Sequence, residues 1–194
     1  MKQLIEAAYS RISFVPVYTS VLENALPPLQ QLGRKDWRLL IPYALTCAAT
    51  LECILNEAII QYSVIFYGFR DYERHARALL SLSLSAKLDY LFPFVTRNQY
   101  TIKVDSATYK RLKRLISVRN DLTHNKPFAQ EMSFQVSDKG TNFTSHKSKL
   151  LNSFETALTY KNCSSFFESV QEINKALSDP KECRSAKWLT KPAW

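Results

Sequence analysis

The sequence predicts an all-α fold, a helical bundle built around one long central helix, with a possible small β-hairpin insertion near 130–145. Residues 37–66, 107–124 and 150–177 repeat apolar side chains at the three-and-four spacing of a single helix face, and polar stretches join them. The chain has only 3 Gly, so it is poor in the residue that tight hairpins and phosphate-cradling loops require. It contains no G-x-G-x-x-G or GK[ST] string, which argues against P-loop and dinucleotide folds. Of 194 residues, 46% are hydrophobic, with 11 Phe, 10 Tyr and 3 Trp, enough for the core of one domain or of one domain with a short extension.

The elements follow in order. Met1 to Val15 reads either as a short helix or as an extended arm. A helical stretch begins at Pro16 and stops or kinks near Pro27-Pro28. Gly33-Arg34-Lys35-Asp36 forms a turn that leaves Asp36 placed as an N-cap. From Trp37 to about Phe66 the apolar face Leu40, Ala44, Leu45, Ala48, Leu51, Ile54, Leu55, Ala58 and Ile59 marks the central helix; Pro42 is a candidate for its true start and Gly68 breaks it. Arg70 to Leu80 reads as a second helix or a turn. A short helix over Ala86–Phe92 ends before Pro93, although the Leu82/Leu84 alternation also fits a brief strand. Thr96 to Thr108 is a polar, basic loop in which Asp105 or Ser106 caps the next helix, from about Ala107. Met132 to Val136 alternates and Asp138-Lys139-Gly140 signals a turn, so a β-hairpin or an irregular loop is expected there. Leu150 to Leu177 is helical again, with Asn162-Cys163-Ser164-Ser165 as a possible interruption, and Ser178 to Trp194 is a tail anchored by Trp188, Leu189 and Trp194.

Charge is uneven. Eight basic residues and two acids lie between Arg97 and Lys126, so two thirds of the net +9 sits in thirty residues. Such a field favours a polyanion, with RNA the natural candidate, although a solvated helix face gives the same pattern. Cys47, Cys53, Cys163 and Cys183 form no C-x-x-C and stand apart from the histidines; Cys47 and Cys53 read as core thiols. That suits a reducing, cytoplasmic setting, and no metal site or cofactor is expected. Residues 1–20 have no continuous apolar core, and the apolar run Ile41–Leu55 is interrupted by Thr46, Thr50 and Glu52; the expectation is a buried helix, with no membrane partner. His75 and His146 stand alone in polar segments and read as surface residues.

The most informative string is Arg119-Asn120-Asp121-Leu122-Thr123-His124, which closes the basic amphipathic run Tyr109 to Val118. An Arg and a His about a helical turn apart suit phosphodiester cleavage without a metal. The imidazole moves a proton near neutral pH, and the guanidinium holds the phosphate as it gains charge. R-x4-H alone is weak; with Asn after the Arg it occurs by chance in on the order of one chain in a hundred. Arg119 follows Leu115 and Ile116 at helical spacing, so a cation lies on a packing face and calls for a partner, a groove or an interface. Pro127 ends the helix near His124, where a helix C-terminus favours imidazolium.

This motif and its setting resemble the HEPN family, small helical domains of toxin–antitoxin pairs, phage-defence proteins and RNA-processing enzymes, over about Trp37 to Leu177. The resemblance implies a helical extension over 1–36, a HEPN-like domain over 37–177 and a C-terminal tail over 178–194. It implies a homodimer whose two motifs face each other, acting as a metal-independent endoribonuclease in a toxin–antitoxin or anti-phage setting, with an antitoxin or defence protein as possible partner. Arg119, His124 and Asn120 would be catalytic. Glu52 or Glu57, five apart on the central helix and so on different faces, would support them. Lys110, Arg111, Lys113, Arg114 and Lys126 would bind RNA. Family toxins paired with nucleotidyltransferase antitoxins carry Tyr where Lys126 stands here, so that tyrosine modification is not implied. Two other readings stay open: a HEPN-like module that binds RNA, nucleotide or protein without cutting, and a helical interaction protein in which Arg119 and His124 make only structural bonds.

Overall fold

The computed structural model describes residues 13–31, 36–123, 130–137, 140–147 and 156–192. These residues form an all-α bundle with two small two-stranded sheets.

Helix α1, Val15–Gln31, buries Val15, Leu22 and Leu29, seven residues apart, against the central helix. It does not stop at Pro27-Pro28 as the sequence suggests. The two prolines forfeit the bonds to the carbonyls four residues back, but Leu22 and Leu29 keep their common face docked across them. Residues expected as an extension thus belong to the main core.

The central helix α2, Trp37–Leu80, starts at Trp37 rather than at Pro42. Asp36 is its N-cap: the carboxylate accepts from the Arg38 amide at 3.1 Å and pairs with the Arg38 guanidinium at 2.9 Å. Gly68, at φ 74 and ψ 169, divides it, so the 44 residues are two helices joined at a kink. Only glycine takes that conformation without strain. The first part buries Leu40, Ala44, Cys47, Ala48, Leu51, Leu55 and Ile59, packing on α1 and on the helices that follow. By length and composition α2 alone among the described residues could cross a bilayer, but half of its most apolar window is buried inside the bundle.

Helix α3, Leu84–Val95, is capped by Ser83, whose hydroxyl accepts from the Ala86 amide at 3.2 Å, so Leu84 opens a helix and Leu82 lies in the bend before it rather than in a strand. It contains Pro93, where the sequence reading ended it, and closes at Thr96. The Thr96 hydroxyl donates to the Phe92 carbonyl and accepts from the Tyr100 amide at 3.1 Å. Between those bonds Arg97 and Asn98 hold left-handed backbone, φ 54 and 59.

The loop that follows is partly a strand. β1, Thr101–Ile102, pairs antiparallel with β4, Leu189–Thr190. A two-residue ladder with a partner this distant has no periodicity to read. Helix α4, Ala107–Thr123, is capped by Ser106, which accepts from the Tyr109 amide at 3.2 Å; it buries Leu112, Leu115, Ile116 and Val118. The hairpin is present as β2, Gln130–Ser137, and β3, Gly140–Lys147, in register through Phe134 and Phe143.

Helix α5, Tyr160–Ser178, packs on α2 and α4. Asn162 to Ser165 do not interrupt it. Asn162 ties back to the Thr156 and Ala157 carbonyls and Ser165 donates to the Lys161 carbonyl, so their polar groups are satisfied inside its first turns. The tail is folded: α6, Pro180–Ser185, is capped by Asp179, and Trp188 and Leu189 are buried, Trp188 edge-on to Phe92 at 5.2 Å. All four cysteines are free thiols; Cys47, Cys163 and Cys183 are buried and Cys53 is half-buried.

Candidate functional site

The amphipathic face of α4 is buried through Val118, and the helix then carries Arg119 out to a side chain 35% exposed. Its guanidinium donates to the Asn120 side-chain oxygen at 3.1 Å and lies 3.7 Å from a Glu52 carboxylate oxygen on α2. The other Glu52 oxygen lies 3.6 Å from the Lys87 ammonium on α3. One carboxylate therefore stands between two cations, and three helices each supply one charge. The cation on the packing face has the partner that its position demands.

Lys87 is the residue that the sequence reading missed. It is 2% exposed, the deepest charged side chain among the described residues. The signal was present: Lys87 lies three residues after Leu84 and four before Leu91, both buried, so it occupies the apolar stripe of α3. Burying an ammonium is costly, and Glu52 is the partner that offsets it.

Of the two candidate supports, only Glu52 reaches Arg119. Glu57 faces elsewhere and accepts from the Ser13 hydroxyl at 2.7 Å. Asn120 is beside Arg119, and the Thr123 hydroxyl donates to the Arg119 carbonyl at 2.9 Å, tightening the last turn of α4. His124 and Lys126 lie outside the described residues.

The basic residues of α4 divide into two kinds. Lys110 and Arg114, one turn apart, are exposed and make no ion pair among the described residues. Arg111 reaches Glu168 on α5 at 3.9 Å, an exposed contact worth little. Lys113 is turned inward: it pairs with Asp89 at 2.9 Å, donates to the Ser85 hydroxyl and lies over the Tyr109 ring, whose hydroxyl also donates to Asp89. Burial pulls the Lys113 ammonium down, but the hydrogen bond and charge of Asp89 outweigh it and hold its pKa above the usual lysine value. Lys113 thus ties α4 to α3, where charge counting alone grouped it with its neighbours.

Among the described residues no three His, Cys, Asp or Glu gather as a metal site would require. His75, expected at the surface, is half-exposed and stacks on Tyr67 at 3.6 Å. Two clefts lie further along α2, lined by Tyr62, Phe66 and Arg97, with volumes of about 440 and 470 Å3; Arg119 lines neither. Comparison of the chain with protein-family models, curated proteins and solved structures finds no match in any of the three.

Proposed function

We propose that this chain is a HEPN-type endoribonuclease, cytoplasmic, acting without a metal as a homodimer, in a toxin–antitoxin or anti-phage setting. The observation that carries the reading is the state of Arg119. Its guanidinium is partly exposed at the end of a basic helix, held by Asn120 and by Glu52, and five positions before His124. A pre-positioned cation that needs no rearrangement to meet a phosphate is what transition-state stabilisation requires. In the reaction the ribose 2′-oxygen bonds to the adjacent phosphorus as the bond to the 5′-oxygen breaks. His124 exchanges the proton lost by the first oxygen or gained by the second, and Arg119 faces the charge on the phosphoryl oxygens. A second motif across the dimer axis supplies the other proton-transfer group. Lys110 and Arg114 draw the strand in; Lys126 follows the motif in sequence.

The test is incubation of the purified protein with mixed RNAs beside the His124→Ala variant. Cleavage should survive EDTA, leave 2′,3′-cyclic phosphate ends, spare DNA and fall by at least about a hundredfold in the variant, while RNA binding changes little. Cleavage that needs added Mg²⁺, or that persists in the variant, defeats the reading.

A second reading is favoured by one specific observation. Glu52 partly neutralises Arg119, and Arg119 lines neither of the two clefts beside Tyr62 and Phe66. That suits a HEPN-like module that binds RNA, a nucleotide or a partner protein without cutting. RNA binding with no cleavage, equal in wild type and the His124→Ala variant, selects it.

A further inference from the structure

Where the first part of α2 reaches the kink, planar groups form a column. Tyr62 stacks on Phe66 with ring centroids 4.4 Å apart, and the Arg97 guanidinium carbon sits 4.9 Å over the Phe66 ring. Phe94 closes the side, edge-on to Tyr62 at 5.4 Å. Phe66 and Phe94 are nearly half exposed, and Arg97 is exposed at the end of the column. Two adjoining clefts, of about 440 and 470 Å3, share Tyr62, Phe66 and Arg97. Arg184 lines the cleft of about 440 Å3 and Asn98 that of about 470 Å3, while no Asp or Glu lines either.

The backbone beneath is unusual. Arg97 and Asn98 are consecutive non-glycine residues with φ of 54 and 59, held by the Thr96–Tyr100 bonds. Left-handed non-glycine residues carry strain that a fold retains where it must aim a side chain. Here the strained turn sets a guanidinium over an aromatic ring at the lip of a concave site. Ile65 and Phe69 are exposed nearby, but a lipid surface has no use for a concave site with a stacked guanidinium at its lip, and an isologous interface with a second copy would bring Arg97 and Arg184 toward their own equivalents. Planar stacking groups, two arginines and no lining acid fit a planar ligand with negative charge.

We propose that this cleft holds an unpaired nucleotide of a single-stranded RNA, its base continuing the Tyr62–Phe66–Arg97 column and its phosphate on Arg97 and Arg184. The proposal rests on the reading above for the identity of the polyanion and adds that the substrate is unpaired. Glu52 and Tyr62 are ten residues apart on α2, about 15 Å along the axis. The Glu52–Lys87 and Tyr62–Phe94 contacts join α2 and α3 in the same order, so a strand could follow that seam from Arg119 to Arg97.

The experiment is equilibrium binding to the His124→Ala protein by fluorescence anisotropy, with labelled single-stranded RNA of about ten nucleotides, inside the range of about 4–16 that such grooves cover. Arg97→Gly removes the cation and relieves the backbone, so any loss is not misfolding. Phe66→Leu removes the ring at an exposed position. Each should weaken binding about tenfold, as loss of a stacking or phosphate contact does, with no drop in melting temperature from Arg97→Gly. A duplex of the same length should compete poorly, and a single nucleoside monophosphate only weakly. Wild-type affinity in both variants overturns the proposal, as does equal competition by duplex. So does a changed oligomeric state, or loss of binding to anionic lipid vesicles, with RNA affinity intact. Column-dependent binding by a wild-type protein that cuts nothing supports the cleft and removes the nuclease reading; cleavage indifferent to both variants removes the cleft alone.

Discussion

Two arginines on this molecule are held in opposite ways. Arg119 is restrained by charge: Glu52 stands between it and buried Lys87, so three helices are tied through one carboxylate. Arg97 is restrained by shape: no carboxylate pairs with it among the described residues, and it lies over Phe66 on a left-handed turn. A charge-restrained guanidinium keeps its direction but loses part of its field; a stacked one keeps both. The first suits a group that must wait in place for charge to develop, and the second suits a group that must attract a ligand.

The largest effect that would break this comparison lies in the ion network. Glu52→Leu leaves Lys87 buried without its carboxylate and should cost about 2–3 kcal/mol in urea unfolding, below the roughly 3–5 of a fully buried pair because Glu52 is a third exposed. Adding Lys87→Met should restore most of it. If the single variant is as stable as wild type, Lys87 does not depend on Glu52. Gly68→Ala comes next. Nothing stands within 4 Å of the added carbon, so the cost is backbone strain alone, about 1–3 kcal/mol, and should appear as a lower melting temperature without loss of helix in circular dichroism. Lys110→Gln with Arg114→Gln should leave stability within about 0.5 kcal/mol and lower the slope of log affinity against log salt by about 1.4 for single-stranded RNA, two phosphates at about 0.7 each. An unchanged slope would make this face merely solvated.

The smallest effect is in pH. The folded pKa of Lys113 is raised, so its pairing with Asp89 stabilises fully below the ordinary lysine pKa and is lost as pH rises through the raised value. Wild type should therefore lose more melting temperature than Asp89→Asn between about pH 9 and about pH 12, against an ordinary lysine near 10.4. Parallel curves would show that the pair contributes nothing.

The helices were legible because burial imposes periodicity: the stripe Leu40 to Ile59, the Gly68 break and the caps Asp36 and Ser106 can all be read along the chain. What misled were the prolines. Pro27, Pro42 and Pro93 predict helix ends, yet each lies inside a helix, because packing of neighbouring apolar residues outweighs one lost backbone bond. The β1–β4 ladder and the folded tail could not be seen, since their partners are remote in sequence. At the site, position on the helix gave Arg119 its need for a partner and left Glu52 and Glu57 as candidates on different faces; only the packed helices separate Glu52 at Arg119 from Glu57 at Ser13. The same limit applies to the basic run, where counting charges could not tell inward Lys113 from outward Lys110.

The free cysteines have a practical use. Burial raises the Cys163 thiol to about 12 and pushes the Cys47 thiol well above its usual range, so neither reacts as a thiolate while α2 and α5 stay together. Cys183 is on α6 itself, on that helix's buried side. Alkylation rates read one cysteine at a time would then act as separate clocks, one timing the parting of the central helices and the other the lifting of the C-terminal segment. If the second runs faster, the molecule opens from its edge before its centre yields.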